Sequence, residues 1–249
     1  MLTEADLVPE APDGADAGTA LAGLAALADP AALIFDLDGT LVDTVQTRIE
    51  AWMGTFAEVK IHADRRHVAG LIGADGKRLA REVAELSGRS LDDDRAEAID
   101  RRAGAIYGEL NTDPRPLPGA TDLLEALNRA ERPVAIATSS RTEQVRASVE
   151  ALGLSVEPMI VDGSHVRHAK PAPDLLLLAS ERLGLPGPRC WCVGDATWDM
   201  RAARAAQMAG VGIATGAVSA AELVGAGAAA ALPSLEPLAE ELRRRAWID

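Results

Sequence analysis

Five short apolar runs recur along the chain: AALIFD at 31–36, PVAIAT at 133–138, PMIVD at 158–162, CWCVGD at 190–195 and GVGIAT at 210–215. Apolar residues follow one another within them without polar alternation. Each therefore reads as a strand buried on both faces, as in a parallel sheet. Helical patterns lie between the runs. EQVRASVEALGL and PDLLLLASERLGL each close near a glycine, Gly153 and Gly184, as a helix stop should. Strands alternating with helices predict an α/β fold with a parallel sheet. Four of the runs end on chemistry-bearing residues, and ligands of open α/β sheets bind at that carboxyl edge.

The interval between the first two runs is much longer than one helical crossover needs. Residues 46–115 read almost wholly as helix, with breaks at Gly70–Gly76 and Gly88–Ser90, and DPRPLPG forms a stiff return path. The expected organisation is a helical insert at 46–115 and a core made of 30–45 and 116–249. Residues 1–29, rich in Ala, Asp, Gly and Pro, read as a flexible N-terminal extension, helical near its end.

A net charge of −13 without a long basic run argues against a nucleic-acid or membrane partner. A small phosphorylated metabolite remains compatible, because a few local cations can hold it. Cys190 and Cys192 flank one residue of a strand pattern. Their side chains then face one way, about 6.6 Å apart along the strand, a poor geometry for a disulfide. They read as small buried hydrophobes in a reducing compartment. No stretch is long and apolar enough to span a bilayer, and no basic region precedes TALAGLAALA. The expected location is cytoplasmic. The four histidines lack ligand-like spacing and receive no role.

Four clusters carry the chemistry: DLDGTLVDT from Asp36, TSSR at 138–141, Lys170 in HAKPAPD, and GDATWDM at 194–200. Each is short, but their order and their placement at successive strand ends make chance agreement improbable. Over roughly residues 31–215 the chain resembles the haloacid dehalogenase superfamily. The resemblance is to the subgroup of phosphoglycolate phosphatase and β-phosphoglucomutase, in which a helical cap follows the first strand. It implies a Rossmann-like sheet of order 5-4-1-2-3 with the first strand central.

The resemblance also implies roles. Asp36 is the expected nucleophile, forming an aspartyl-phosphate that splits one hard hydrolysis into two steps. Two anions approach unfavourably, so a divalent cation is needed between them. Asp36 and Asp195, with the Asp38 backbone carbonyl, supply an all-oxygen set suited to Mg²⁺. Asp38 is the expected general acid, then general base. Asp199 is expected to hold metal waters or orient Lys170. Lys170 is expected to neutralise Asp36 and the transferring phosphoryl group. Thr138 and the Ser139 N–H are expected to bind phosphoryl oxygens at a helix start, where TSS also serves as an N-cap. Arg48, Lys77 and Arg141 are candidate substrate contacts, each balanced against a surface or packing role.

The expected activity is thus a Mg²⁺-dependent phosphatase acting on a small phosphomonoester. One alternative is a mutase resembling β-phosphoglucomutase. The GTL after the two aspartates, the GDxxxD form that includes Asp199, and Arg48 in place of a histidine oppose it. A dehalogenase lacks the second aspartate of the first motif. A non-catalytic regulator on this fold would usually have lost an acid or the lysine. Neither the substrate nor the oligomeric state is legible.

Overall fold

The computed structural model describes residues 17–249, and the first sixteen residues of the expected extension lie outside that range. Its centre is a six-stranded parallel sheet. The strands are β1 (Ala32–Phe35), β2 (Val134–Ala137), β3 (Met159–Val161), β4 (Cys190–Gly194), β5 (Ala209–Ile213) and β6 (Ala230–Leu232), in the order 3-2-1-4-5-6. The five strands expected from sequence neighbour one another as expected, with β1 central. The order differs from the expected one by a sixth strand, β6, added beside β5. Its three residues, Ala-Ala-Leu, sit in an alanine-rich stretch with no strand signature of its own.

All four residues of β1 are fully buried, as are those of β4 save for slight exposure of Trp191 and Cys192. Both faces of these strands are covered, which accounts for the unbroken apolar runs. One face packs Leu33, Phe35, Val193 and Ile213 against α6 (Ala120–Arg129), α7 (Thr142–Ala151) and α11 (Glu236–Arg244). The other packs Ile34, Ala137 and Cys192 against α8 (Asp174–Arg182) and α9 (Thr197–Ala205). Cys190 and Cys192 are buried and unbridged.

Residues 17–29 hold the helix expected near the end of the extension, but it is packed on the core. They contain α1 (Ala17–Ala25), whose Leu24 is fully buried in the core. Arg245 donates to the carbonyls of Leu24 (2.9 Å), Ala25 (3.2 Å) and Leu27 (2.9 Å), and pairs with Asp29 (2.6 Å). The last carbonyls of a helix lack intrahelical partners, and this arginine supplies them. No sequence spacing announces that contact, since 216 residues separate Asp29 from Arg245.

Between β1 and α6 lie α2 (Val45–Glu58), α3 (Arg65–Leu71), α4 (Gly76–Leu86) and α5 (Asp93–Leu110). They bury Phe56, Val68, Leu79, Val83 and Ala96 in a cluster of their own, joined from the sheet side by Ala196 and Trp198. The chain enters and leaves this layer through adjacent segments. Asp43 N donates to Arg115 O and Leu117 N to Leu41 O, both at 2.9 Å. Among the described residues, no helix is long and apolar enough to cross a membrane.

Candidate active site

The carboxyl ends of β1, β2 and β4 bring Asp36, Thr138 and Asp195 to one edge of the sheet, and the loop after β3 delivers Lys170. Asp36, Thr138, Lys170, Asp195 and Asp199 are all buried. The Lys170 Nζ contacts Asp36 Oδ1 and lies 2.7 Å from Asp199 Oδ1. Asp199 Oδ2 accepts from the Ala196 N–H (3.0 Å), which fixes the carboxylate beside the lysine. Asp195 Oδ1 accepts from the Thr40 hydroxyl (2.8 Å).

Asp36, Asp195 and Asp199 each offer an oxygen within 4.8 Å of the others. Three carboxylates against one lysine leave an excess of negative charge in a buried space. Burial pushes Asp36 up to about 7, with Lys170 pulling against it and Asp199 and Asp38 adding to the rise. Burial, then Asp36 and Asp199, holds Asp195 well above the ordinary carboxylate range. Burial disfavours a charged Lys170, yet Asp199 and Asp36 outweigh it and hold its ammonium above the ordinary lysine value. A divalent cation would relieve the repulsion, and an all-oxygen donor set fits a hard one. Glycines leave the room: a Cβ at Gly39, where φ is +85°, or at Gly216 would run into the Asp195 carboxylate.

Asp38 faces the helical layer. Its Oδ1 accepts from the hydroxyls of Thr44 (2.7 Å) and Tyr107 (3.2 Å). Its Oδ2 accepts from Arg48 Nη2 (2.9 Å) and the Ser140 hydroxyl (2.8 Å). Burial favours the neutral acid, but Arg48 and the bonds from Thr44 and Ser140 outweigh it and hold the carboxyl below its ordinary value. Thr44 precedes α2 yet makes no cap bond with its side chain, because the hydroxyl goes to Asp38. Arg48, one turn into α2, also donates to Gln144 (3.1 Å) and Ser140 (2.6 Å), and its guanidinium stacks on the Tyr107 ring at 3.4 Å.

A cavity of about 50 Å³ separates the sheet edge from the helices, lined in part by Asp36, Asp38, Arg48, Trp52, Thr138 and Ser139. Arg48 is thus brought into the same pocket as Asp36. Lys77 and Arg141 are not. Lys77 lies 3.8 Å from Glu97, and Arg141 pairs with Glu97 and Asp100 at 2.9 Å each, in an adjoining cavity. Helix α7 begins at Thr142 with Arg141 as N-cap, so the cap falls one residue beyond the TSS run. Thr138 Oγ1 accepts from the Ser140 N–H (3.1 Å), and Ser139 donates its hydroxyl to Gly73 O (2.9 Å) in the helical layer.

Thr40, Thr44, Tyr107, Ser140, Gln144 and Asp100 were not legible as site residues. The threonines belong to the DLDGTLVDT cluster, whose density of side-chain oxygens was the available signal. Tyr107, the chain's one tyrosine, lies on α5 and gave none.

Residues 33–213 match a family model described as haloacid dehalogenase-like hydrolase. Fructose-1-phosphate phosphatase YqaB of Escherichia coli (strain K12) is 34% identical over 185 residues, covering 74% of this chain and 96% of that protein. Phosphoglycolate phosphatase of the same organism is 28% identical, covering 73% of this chain and 80% of its own length. A solved hydrolase from Pseudomonas syringae superposes with a TM-score of 0.81 at 33% identity, covering 86% of this chain and 98% of that one.

Proposed function

The chain belongs to the haloacid dehalogenase-like hydrolase family, and from that membership we propose that it is a phosphatase that hydrolyses a small phosphomonoester in the cytoplasm through an aspartyl-phosphate on Asp36. One observation carries the reading: Asp36, the candidate nucleophile, touches buried Lys170, has oxygens of Asp195 and Asp199 within 4.8 Å, and lines one pocket with Asp38. The relatives named as phosphatases support the same reaction class.

Asp36 and Asp195, with the Asp38 backbone carbonyl, would hold a Mg²⁺ ion, whose positive charge would offset the repulsion between a carboxylate nucleophile and an anionic phosphoryl group. The chain's own residues do the rest. An Asp36 oxygen attacks phosphorus as the bond to the leaving oxygen breaks. Lys170 balances the anionic charge gathered there, and Asp199 keeps its ammonium in place. The Thr138 hydroxyl and Ser139 N–H hold phosphoryl oxygens. Asp38 gives a proton to the leaving oxygen, then takes one from the water that attacks the aspartyl-phosphate. Helices α2–α5, from about residue 46 to 115, serve as a cap over the pocket, the rest of the described chain being the core.

Phosphate release from p-nitrophenyl phosphate tests this reading. Turnover should need Mg²⁺, stop in EDTA and be lost in Asp36→Asn. Full turnover in chelator would overturn it.

A further inference from the structure

The oxygens of Asp38 face different surroundings. Oδ2 accepts from Arg48 (2.9 Å) and Ser140 (2.8 Å), and both of those residues line the cavity beside Asp36. Oδ1 accepts from Thr44 (2.7 Å) and Tyr107 (3.2 Å), neither of which lines it. A group in the cavity can therefore exchange a proton with Asp38 at Oδ2, while Oδ1 serves as the anchor.

Tyr107 belongs to a chain of hydrogen bonds that runs in one sense. Asn111, the residue that ends α5, donates through Nδ2 to the hydroxyl of Ser148 on α7 (3.2 Å). The Ser148 hydroxyl lies 3.3 Å from that of Tyr107, and among the described residues Asn111 and Tyr107 are its hydrogen-bond partners. An amide N–H can only donate and a carboxylate can only accept. The Ser148 proton therefore goes to the Tyr107 oxygen, and the Tyr107 proton goes to Asp38 Oδ1. Asn111, Ser148 and Tyr107 are all buried, where an unpaired polar group is costly. Turning the Tyr107 hydroxyl toward Ser148 would leave the Ser148 proton without an acceptor and Oδ1 with one donor fewer. The chain also joins the layers. Tyr107 and Asn111 come from the helical layer, Ser148 from a helix packed on the sheet, and Asp38 from the segment after β1.

We propose that Tyr107 is a positioning residue for the proton transfers of Asp38. Together with Thr44 it occupies Oδ1, so that Oδ2 gives a proton to the leaving oxygen as the bond from phosphorus to that oxygen breaks. Oδ2 then takes a proton from the water whose oxygen bonds to phosphorus as the bond to Asp36 breaks, which restores the acid for the next turnover. Tyr107 acts through Asp38 and gives up no proton of its own. The inference rests on the phosphatase reading above.

The test uses Tyr107→Phe, which keeps the ring under the Arg48 guanidinium and removes the hydroxyl. It compares kcat/KM, with Mg²⁺, for phenyl phosphate and p-nitrophenyl phosphate. These esters share a ring, but phenol leaves with an oxygen basic enough to need a proton and p-nitrophenol does not. Breakdown of the aspartyl-phosphate comes later and does not enter kcat/KM, so the comparison isolates the acid step. The phenyl-to-p-nitrophenyl ratio should fall about tenfold in Tyr107→Phe, the loss expected from one hydrogen bond to a charged group. In Asp38→Asn the ratio should fall further, and adding Tyr107→Phe to that variant should move it no more. Ser148→Ala frees the Tyr107 hydroxyl to turn away, so it should lower the ratio less. It carries the same comparison if Tyr107→Phe does not fold. An unchanged ratio in Tyr107→Phe, or in Ser148→Ala where Tyr107→Phe does not fold, would overturn the inference alone. So would a Tyr107→Phe shift of equal size with and without Asp38. An unchanged ratio in Asp38→Asn would remove its role as acid, and wild-type protein that releases phosphate from neither ester would sink the phosphatase reading; the inference falls with either.

Discussion

Asp38 accepts from four donors, and only one of them, Arg48, can never accept a proton in return. The hydroxyls of Thr44, Ser140 and Tyr107 can turn about; the guanidinium cannot. The arrangement described therefore holds Asp38 as a carboxylate, the form that the proposed second step needs in order to activate water. To act as acid in the proposed first step it would have to gain a proton against the pull of Arg48. Replacing Arg48 with Met should raise the Asp38 pKa, because its lowering depends on that charge. The limb of the kcat/KM profile governed by Asp38 should then move to higher pH, and an unmoved limb would deny the pairing a role in turnover. The two aspartates separate by trapping. A general acid/base is worth about 10²–10⁴-fold, so Asp38→Asn should be slowed by that order. Rapid quench with labelled substrate should leave phosphate covalently on Asp38→Asn and none on Asp36→Asn. Label on Asp36→Asn would exclude Asp36 as nucleophile.

The elements of the helical layer hold together through side chains the sheet does not share. Phe56 on α2 is fully buried and stacks on Trp52 at 5.5 Å between centroids. Phe56→Ala should cost about 3–5 kcal/mol in urea unfolding, from lost burial and the cavity left behind. It should also weaken turnover, since Trp52 lines the inner cavity. The strands were legible because burial on both faces writes an unbroken apolar run that no surface strand needs, as ALIF in β1 shows. Strand β6 was not, since three residues, Ala-Ala-Leu, are too few to carry a period. Helix α1 was expected near the end of the extension, but its packing against the core was not, for a related reason. Its AGTALAGLA composition resembles a tail, and what holds it is Leu24 in a distant core and an arginine near the other end of the chain. In the site, Asp36, Asp38, Lys170 and Asp195 were legible from motifs at strand ends. Arg48 was a candidate whose partner only the packing of α2 on the sheet edge reveals. Asp100 and Tyr107, both on α5, reach the pocket through tertiary geometry alone.

Across the whole molecule, the buried carboxylates tie stability to pH and to metal. Asp36 rises from an ordinary 3.8 to about 7 in the folded protein, and Asp195 rises as well, burial leading in both. Between those two values the folded chain binds protons that the unfolded chain has released. Stability from this source is therefore fully present below the unfolded value and is lost as pH rises through the folded one. A cation at Asp36 and Asp195 replaces those protons and binds best once they have gone. In EDTA the melting temperature should fall between pH 5 and pH 8. Mg²⁺ should reverse the fall, stabilising by about 2.7 kcal/mol when present at a hundredfold its Kd. The gain should be larger at pH 8 than at pH 5, where protons compete for the same oxygens. Asp36→Asn removes a titrating group and an anionic ligand together, so both the pH dependence and the metal gain should shrink. Scanning calorimetry of the two proteins at both pH values, with and without metal, reads each quantity directly. An equal gain at the two pH values would mean that Mg²⁺ acts away from Asp36 and Asp195, and the assignment of those carboxylates as its ligands would fall.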